Sequence, residues 1–227
     1  MINATWLKWV GAILSLVLFL FLLGLGARPA EAHQPRLVTT AETVVVHDPD
    51  ISQAFYAELP GQPALYRVDL AVPGRFYFSL LVPDLPGQRT DFTATLSTAG
   101  ENPERQLEAL AGPEHAWQSY FEPFAGDSYL RGPEAELTLA AGSYLIRVSN
   151  PSNTGKYVLS VGREERFGIA GTLQTARRLP EVKRFFGKSP LTAFLNVFGL
   201  FLLVAVVAGA AGLVVAGRWI AALIRSR

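Results

Sequence analysis

The chain of 227 residues has room for one ordinary domain plus flanking segments. It contains no cysteine and a single methionine, which excludes disulfides, thiolate metal sites, thiol nucleophiles and a Met-rich soft-metal surface. Net charge is +1, yet residues 33–168 hold ten Arg and Lys against seventeen Asp and Glu; such an acidic region repels phosphates and excludes a nucleic-acid partner.

Chain order begins with an apolar run, Leu7 to Gly26, behind a thin positive region at Lys8. Gly24 and Gly26 break it, and Ala30-Glu31-Ala32 forms an A-x-A cleavage signal. Residues 1–32 therefore read as a signal peptide cut after Ala32, with an uncleaved N-terminal anchor helix as the alternative. Either reading exports the segment C-terminal to it.

Residues 33–168 alternate apolar and polar side chains with period two. Tyr66, Val68 and Leu70 interleave with Arg67 and Asp69. The same pattern recurs at Phe76 and Phe78, at Phe92, Ala94 and Leu96, at Tyr144, Ile146 and Val148, and at Tyr157, Leu159 and Val161. Val44 to Val46 and Ala54 to Leu59 are weaker strands. Pro60-Gly61, Pro73-Gly74, Pro86-Gly87, Ala141-Gly142 and Asn153-Thr154-Gly155 mark turns. Short strands at near-regular spacing predict a mainly β fold, an antiparallel β-sandwich or jelly roll. Between Glu101 and Gly132 the pattern breaks. Pro103 to Leu110 reads as a short helix, followed by Trp117, Tyr120, Phe121, Phe124 and Tyr129. These aromatics are candidate ligand-binding residues on an inserted loop; the alternative makes them a plug for the open end of the core.

Residues 169–190 read as a basic juxtamembrane helical linker, with Pro180 opening its second helix. Arg177, Arg178, Lys183, Arg184 and Lys188 face only Glu181 and are candidate contacts for anionic lipid. Packing of this piece against the sandwich is the alternative. The run Leu191 to Gly217 exceeds the ~20 residues that cross a bilayer and predicts a C-terminal transmembrane helix. Residues 218–227, with Arg218-Trp219 and Arg225-Ser226-Arg227, form a short basic cytoplasmic tail. Gly209 and Gly212 leave a smooth patch for self-association or for a membrane protein partner. The flank ahead of the run is the more basic one, but an export signal commits the preceding domain to cross regardless of such a bias. The expected localisation is the cell membrane, single-pass after signal cleavage, with the main domain extracytoplasmic and the bilayer as a partner.

Two passages carry a family resemblance. Ala141-Gly142-Ser143-Tyr144-Leu145-Ile146-Arg147-Val148 and Gly155-Lys156-Tyr157-Val158-Leu159-Ser160-Val161-Gly162 resemble the closing hairpin of bacterial pre-peptidase C-terminal domains. The resemblance implies an exported β-sandwich that serves as a binding or accessory module. The acidic calcium positions of some such domains have no match here. Glu122-Pro123-Phe124 together with Gly162 to Gly168 also resembles a family of bacterial membrane-anchored proteins.

The chemistry readings are few. Cleavage after Ala32 would give His33 an α-amine beside its imidazole, a chelate for Cu(II) with His47 or His115 as further ligand. The start His33-Gln34-Pro35-Arg36-Leu37-Val38 resembles mature periplasmic copper carriers. His47-Asp48-Pro49-Asp50 reads as a turn rather than a cation site. Glu122 with Asp127 is the carboxylate pair that a carbohydrate-active hydrolase would need. No Gly-x-Ser-x-Gly, phosphate loop or His-Glu-x-x-His occurs. The expectation is a non-enzymatic binding module without cofactor or catalytic residues; the copper protein and the hydrolase are its alternatives.

Overall fold

A computed structural model describes residues 33–39, 42–101, 103–122, 125–165 and 169–225; within 169–225, side chains are described at 175, 177–196, 199, 203–204, 206–218, 220–222 and 224–225. The expectations for residues 1–32 and for Phe124 lie outside the described residues. The chain divides into a compact unit, Glu31–Ala193, and a second unit that includes Phe194–Arg227.

Among the described residues the first unit has eleven strands: β1 (Gln34–Leu37), β2 (Val44–Val46), β3 (Gln53–Pro60), β4 (Ala64–Leu70), β5 (Gly74–Pro83), β6 (Thr93–Thr98), β7 (Gln106–Ala111), β8 (Gln118–Glu122), β9 (Asp127–Leu139), β10 (Gly142–Ser149) and β11 (Thr154–Val161). They form a six-stranded sheet, β1-β3-β11-β5-β9-β8, and a five-stranded sheet, β2-β4-β10-β6-β7. Period-two alternation sets which side chains meet between them. Phe76, Phe78, Leu80 and Val82 of β5 join Tyr66 and Val68 of β4 and Ile146 and Val148 of β10 in one core. Inside it the hydroxyls of Tyr66 and Tyr157 share a 2.7 Å hydrogen bond, so neither buried phenol is orphaned. Burial pushes both phenols well up from their ordinary value.

Three expectations need correction. The sandwich is not wholly antiparallel: β1 pairs with β3 and β2 with β4 in parallel, each at a sheet edge. The chain reaches these edges before either hairpin partner is laid down, switching sheets between β1 and β2. Residues 106–111 are strand β7, paired with β6, rather than helix; cross-strand pairing overrides the local helix-forming residues. The aromatic stretch is not an insertion loop, because β8 and the start of β9 form a hairpin within the six-stranded sheet.

Register gives the sandwich two distinct ends. Along β5 and β9, Gly74 pairs with Leu139 at one end and Pro83 with Tyr129 at the other. The ten residues of β5 span roughly 30 Å. The β8–β9 turn lies beyond the Pro83 end, which is the exit end of the sandwich. His33, the β4–β5 turn and residues 162–165 lie at the far end, as the pairings of β1, β4 and β11 require.

Helix α1 (Ile169–Phe185) runs through Pro180 instead of restarting there. Its C-terminal half packs on the outer face of the six-stranded sheet. Val182 and Phe186 meet Ala54, Tyr56, Tyr129 and Val158 in a second apolar cluster. In the second unit, helix α2 spans Val197–Arg225, with Gly209 and Gly212 exposed. Among the described residues no helix is long and apolar enough to cross a membrane.

Candidate functional site

A buried polar arrangement fastens the end of α1 to the start of β9. Asp127, the first residue of β9, has 0% exposure. Its Oδ2 accepts a 2.8 Å hydrogen bond from Lys183 Nζ, and its Oδ1 accepts a 2.7 Å bond from Lys188 Nζ. Lys183 is buried and also donates to the carbonyl of Ala125; Lys188 donates to that of Gly126 at 3.2 Å. A carboxylate can be held this deep because both oxygens receive charge-assisted bonds.

Local chain geometry explains why two lysines five residues apart meet one carboxylate. Gly187 has φ +67°, the left-handed conformation that ends helices. Gly187 N–H bonds to the Arg184 carbonyl and Lys188 N–H to the Lys183 carbonyl, the paired 5→2 and 6→1 bonds of a Schellman ending. That reversal swings Lys188 back beside Lys183. On the other side, Lys156 Nζ donates at 2.8 Å to the Phe185 carbonyl, placing a cation at the negative end of the helix. Beneath lies a hydrogen bond of 2.8 Å between the hydroxyls of Tyr56 and Tyr129. Burial pushes both phenols up, and the nearby carboxylates of Glu122 and Asp127 add to it.

Of the five lipid-contact candidates, the structure withdraws Lys183. Lys183 is enclosed by its ion pair, and Lys188 divides its ammonium between Asp127 and solvent. Arg177, Arg178 and Arg184 are exposed, with Arg178 paired to Glu181 at 3.1 Å. The carboxylates of Glu122 and Asp127 do share a rung of the β8–β9 hairpin. Asp127 is held by two lysines and Glu122 accepts the Ala125 N–H at 2.7 Å.

The three histidines do not share one place: His115 lies at the opposite end of the sandwich from His33 and His47. His33 sits at the far end, its Nδ1 against Ser52 Oγ and both ring nitrogens 3.3 Å from Ser160 Oγ. His115 lies beyond β7 at the exit end, its ring edge toward Trp117. His47 is exposed at the end of β2. A single copper site built from His33 and His115 is therefore ruled out by the length of the sandwich. Among the described residues no group of three or more His, Asp or Glu is placed to hold a metal ion.

The aromatic candidates separate too. Trp117 packs against the main core, donating Nε1–H to the Gly112 carbonyl at 2.8 Å, with its ring covering Gly132 so closely that no side chain fits there. Tyr129 belongs to the cluster under α1. Tyr120 is half-buried beneath the Arg131 guanidinium, 3.9 Å from the ring centre. Phe121 turns outward, 59% exposed. Sequence reasoning offers Asp127 only as half of a carboxylate pair and gives no role to Lys156 or Tyr56. The signal for the clamp is faint: a glycine directly after a basic, apolar run, which marks a helix stop and nothing about its partner.

No family model matches the chain, and no curated protein matches it. Among solved structures it is similar to the pre-peptidase C-terminal domain of a Bacillus anthracis collagenase, at 10% identity over 57% of this chain and 95% of that one, with TM-score 0.33. It is also similar to CorA, a surface-associated copper-binding protein of Methylomicrobium album BG8, at 9% identity over 56% of this chain and 100% of that one, with TM-score 0.29. A third similarity is to a carbohydrate-binding module from Cellvibrio mixtus lichenase 5A, at 12% identity over 48% of this chain and 71% of that one, with TM-score 0.23. The sandwich itself rests on the strand order and register of this chain.

Proposed function

We propose that this protein is a membrane-anchored, extracytoplasmic β-sandwich that works as a non-enzymatic binding module. The observation that carries the reading is the clamp on Asp127. It holds the chain to the sandwich as far as Lys188, three residues before the apolar run begins at Leu191. Support for the anchor is the sequence of Leu191–Gly217, in which Asn196 is the only strongly polar side chain, and support for export is the run Leu7–Gly26 with its A-x-A signal. Exposed Arg177, Arg178 and Arg184 supply cations for lipid headgroups. The sandwich supports binding over catalysis because its buried carboxylate and phenols are spent on holding elements together.

Topology tests this directly. The chain has no cysteine, so Val72→Cys, at an exposed turn, introduces one reporter. A membrane-impermeant maleimide added to intact spheroplasts should label it fully. Labelling only after detergent is added would place the sandwich in the cytoplasm and end the proposal.

A further inference from the structure

We infer that the exit end of the sandwich, with the β8–β9 turn, rests on the lipid headgroups and that the far end points away from the membrane; this rests on the anchoring proposed for the chain. Lys188 Nζ is bonded to the Gly126 carbonyl and to Asp127, so the place where the chain leaves the domain is fixed beside this turn. Leu191 comes within about 10 Å of chain and is 76% exposed. The whole length of β5 and β9 separates this place from the far end.

The surface there suits a headgroup layer. Phe121 stands exposed on β8, which forms an edge of the six-stranded sheet. An aromatic ring on an open edge is a liability in water and finds a natural place at the level of lipid headgroups. Most carboxylates near it are already engaged. Glu122 is turned onto the Ala125 N–H, Asp127 onto two lysines and exposed Asp84 accepts the Ser119 hydroxyl, while Arg184 and part of Lys188 face outward. The occupant is thus an anionic lipid surface, met by an apolar tip with basic flanks. Exposed apolar surface alone does not decide the matter. Val72 is 70% exposed but stands at the far end, which makes it a matched control.

The test uses the full chain with single cysteines at Phe121→Cys or Val72→Cys, each labelled with an environment-sensitive fluorophore. The proteins are reconstituted into vesicles of phosphatidylcholine and phosphatidylglycerol that carry headgroup-level nitroxide lipids. The label at position 121 should shift to the blue and lose fluorescence to the nitroxide. The label at position 72 should keep a water-like spectrum and full intensity. A third label, Gln62→Cys in the β3–β4 turn at the exit end, should be quenched more than position 72, which separates an end-on orientation from insertion of one ring. Equal quenching at 121 and 72, or stronger quenching at 72, in protein that floats with the vesicles would overturn the orientation alone. Protein that does not float would overturn the anchoring reading and this inference with it.

Discussion

The six-stranded sheet is packed on both faces, by different means and to different extents. Its inner face meets another sheet, and the interlock is apolar with one hydroxyl pair, Tyr66 to Tyr157. Its outer face meets one helix over Ala54, Tyr56, Tyr129 and Val158, with a hydroxyl pair of its own, Tyr56 to Tyr129. The outer face adds what the inner one lacks, a buried carboxylate between two ammonium groups. The five-stranded sheet, by contrast, leaves Arg67, Asp69 and Arg147 exposed on its outer side. Burial between sheets is collective and tolerant of register-preserving change. Burial under a lone helix is narrow, so the helix needs directional fasteners to hold its place.

Substitutions can break this contrast. The largest effect is expected from Asp127→Asn, which leaves Lys183 charged and enclosed; removing one partner of a buried pair costs about 3–5 kcal/mol. Hydrogen exchange on the full chain in mild detergent should show α1 losing protection first while β5 and β11 keep theirs. Uniform loss would mean that the helix is not a separate layer. Ile146→Ala, at a fully buried position, should cost roughly 2–5 kcal/mol and lower protection across both sheets alike.

The two hydroxyl pairs sharpen the comparison further. Tyr66→Phe or Tyr157→Phe alone strands a buried phenol and should cost about 1–3 kcal/mol, with the double change costing less than the two singles combined. Because burial raises the folded-state values of both phenols, their neutral forms stabilise the fold fully below the unfolded value near pH ~10. That contribution is lost as pH climbs through the folded values. Tyr77, pushed up to about 12 by burial, acts in the same direction. Alkaline melts should therefore fall steeply above pH ~10, and more shallowly in the double Phe variant. The smallest of these effects belongs to Gly187→Ala. Its Cβ would have open space, so the cost is the left-handed backbone alone, about 1–2 kcal/mol, read as fraying of the last turn of α1. No change there would show that Lys183 and Lys188 hold without the helix ending.

The two kinds of burial differ in how much of them is legible in the sequence. Alternation at Tyr144, Ile146, Val148 and at Tyr157, Leu159, Val161 identifies the inner face, since each inward side chain has the same apolar requirement. Ser160 and Val158 on the outward positions of β11 are buried as well, which alternation cannot distinguish from exposure. Gln106 to Leu110 favours helix locally, and only the β6 partner draws it into a strand. Asp127 meets lysines 56 and 61 positions away, a separation that no local pattern encodes.

The sequence by itself determined the apolar ends, the acidic middle, the turns and the strand alternation that makes a sandwich, because each is a local pattern of side-chain chemistry. Tertiary structure decided that β1 and β2 join their sheets in parallel, that His115 lies at the opposite end of the sandwich from His33, and that the basic segment is partly a clamp. Those depend on which surfaces are brought together, and a lysine becomes an ion-pair partner instead of a lipid contact only when a buried carboxylate is delivered to it from another strand.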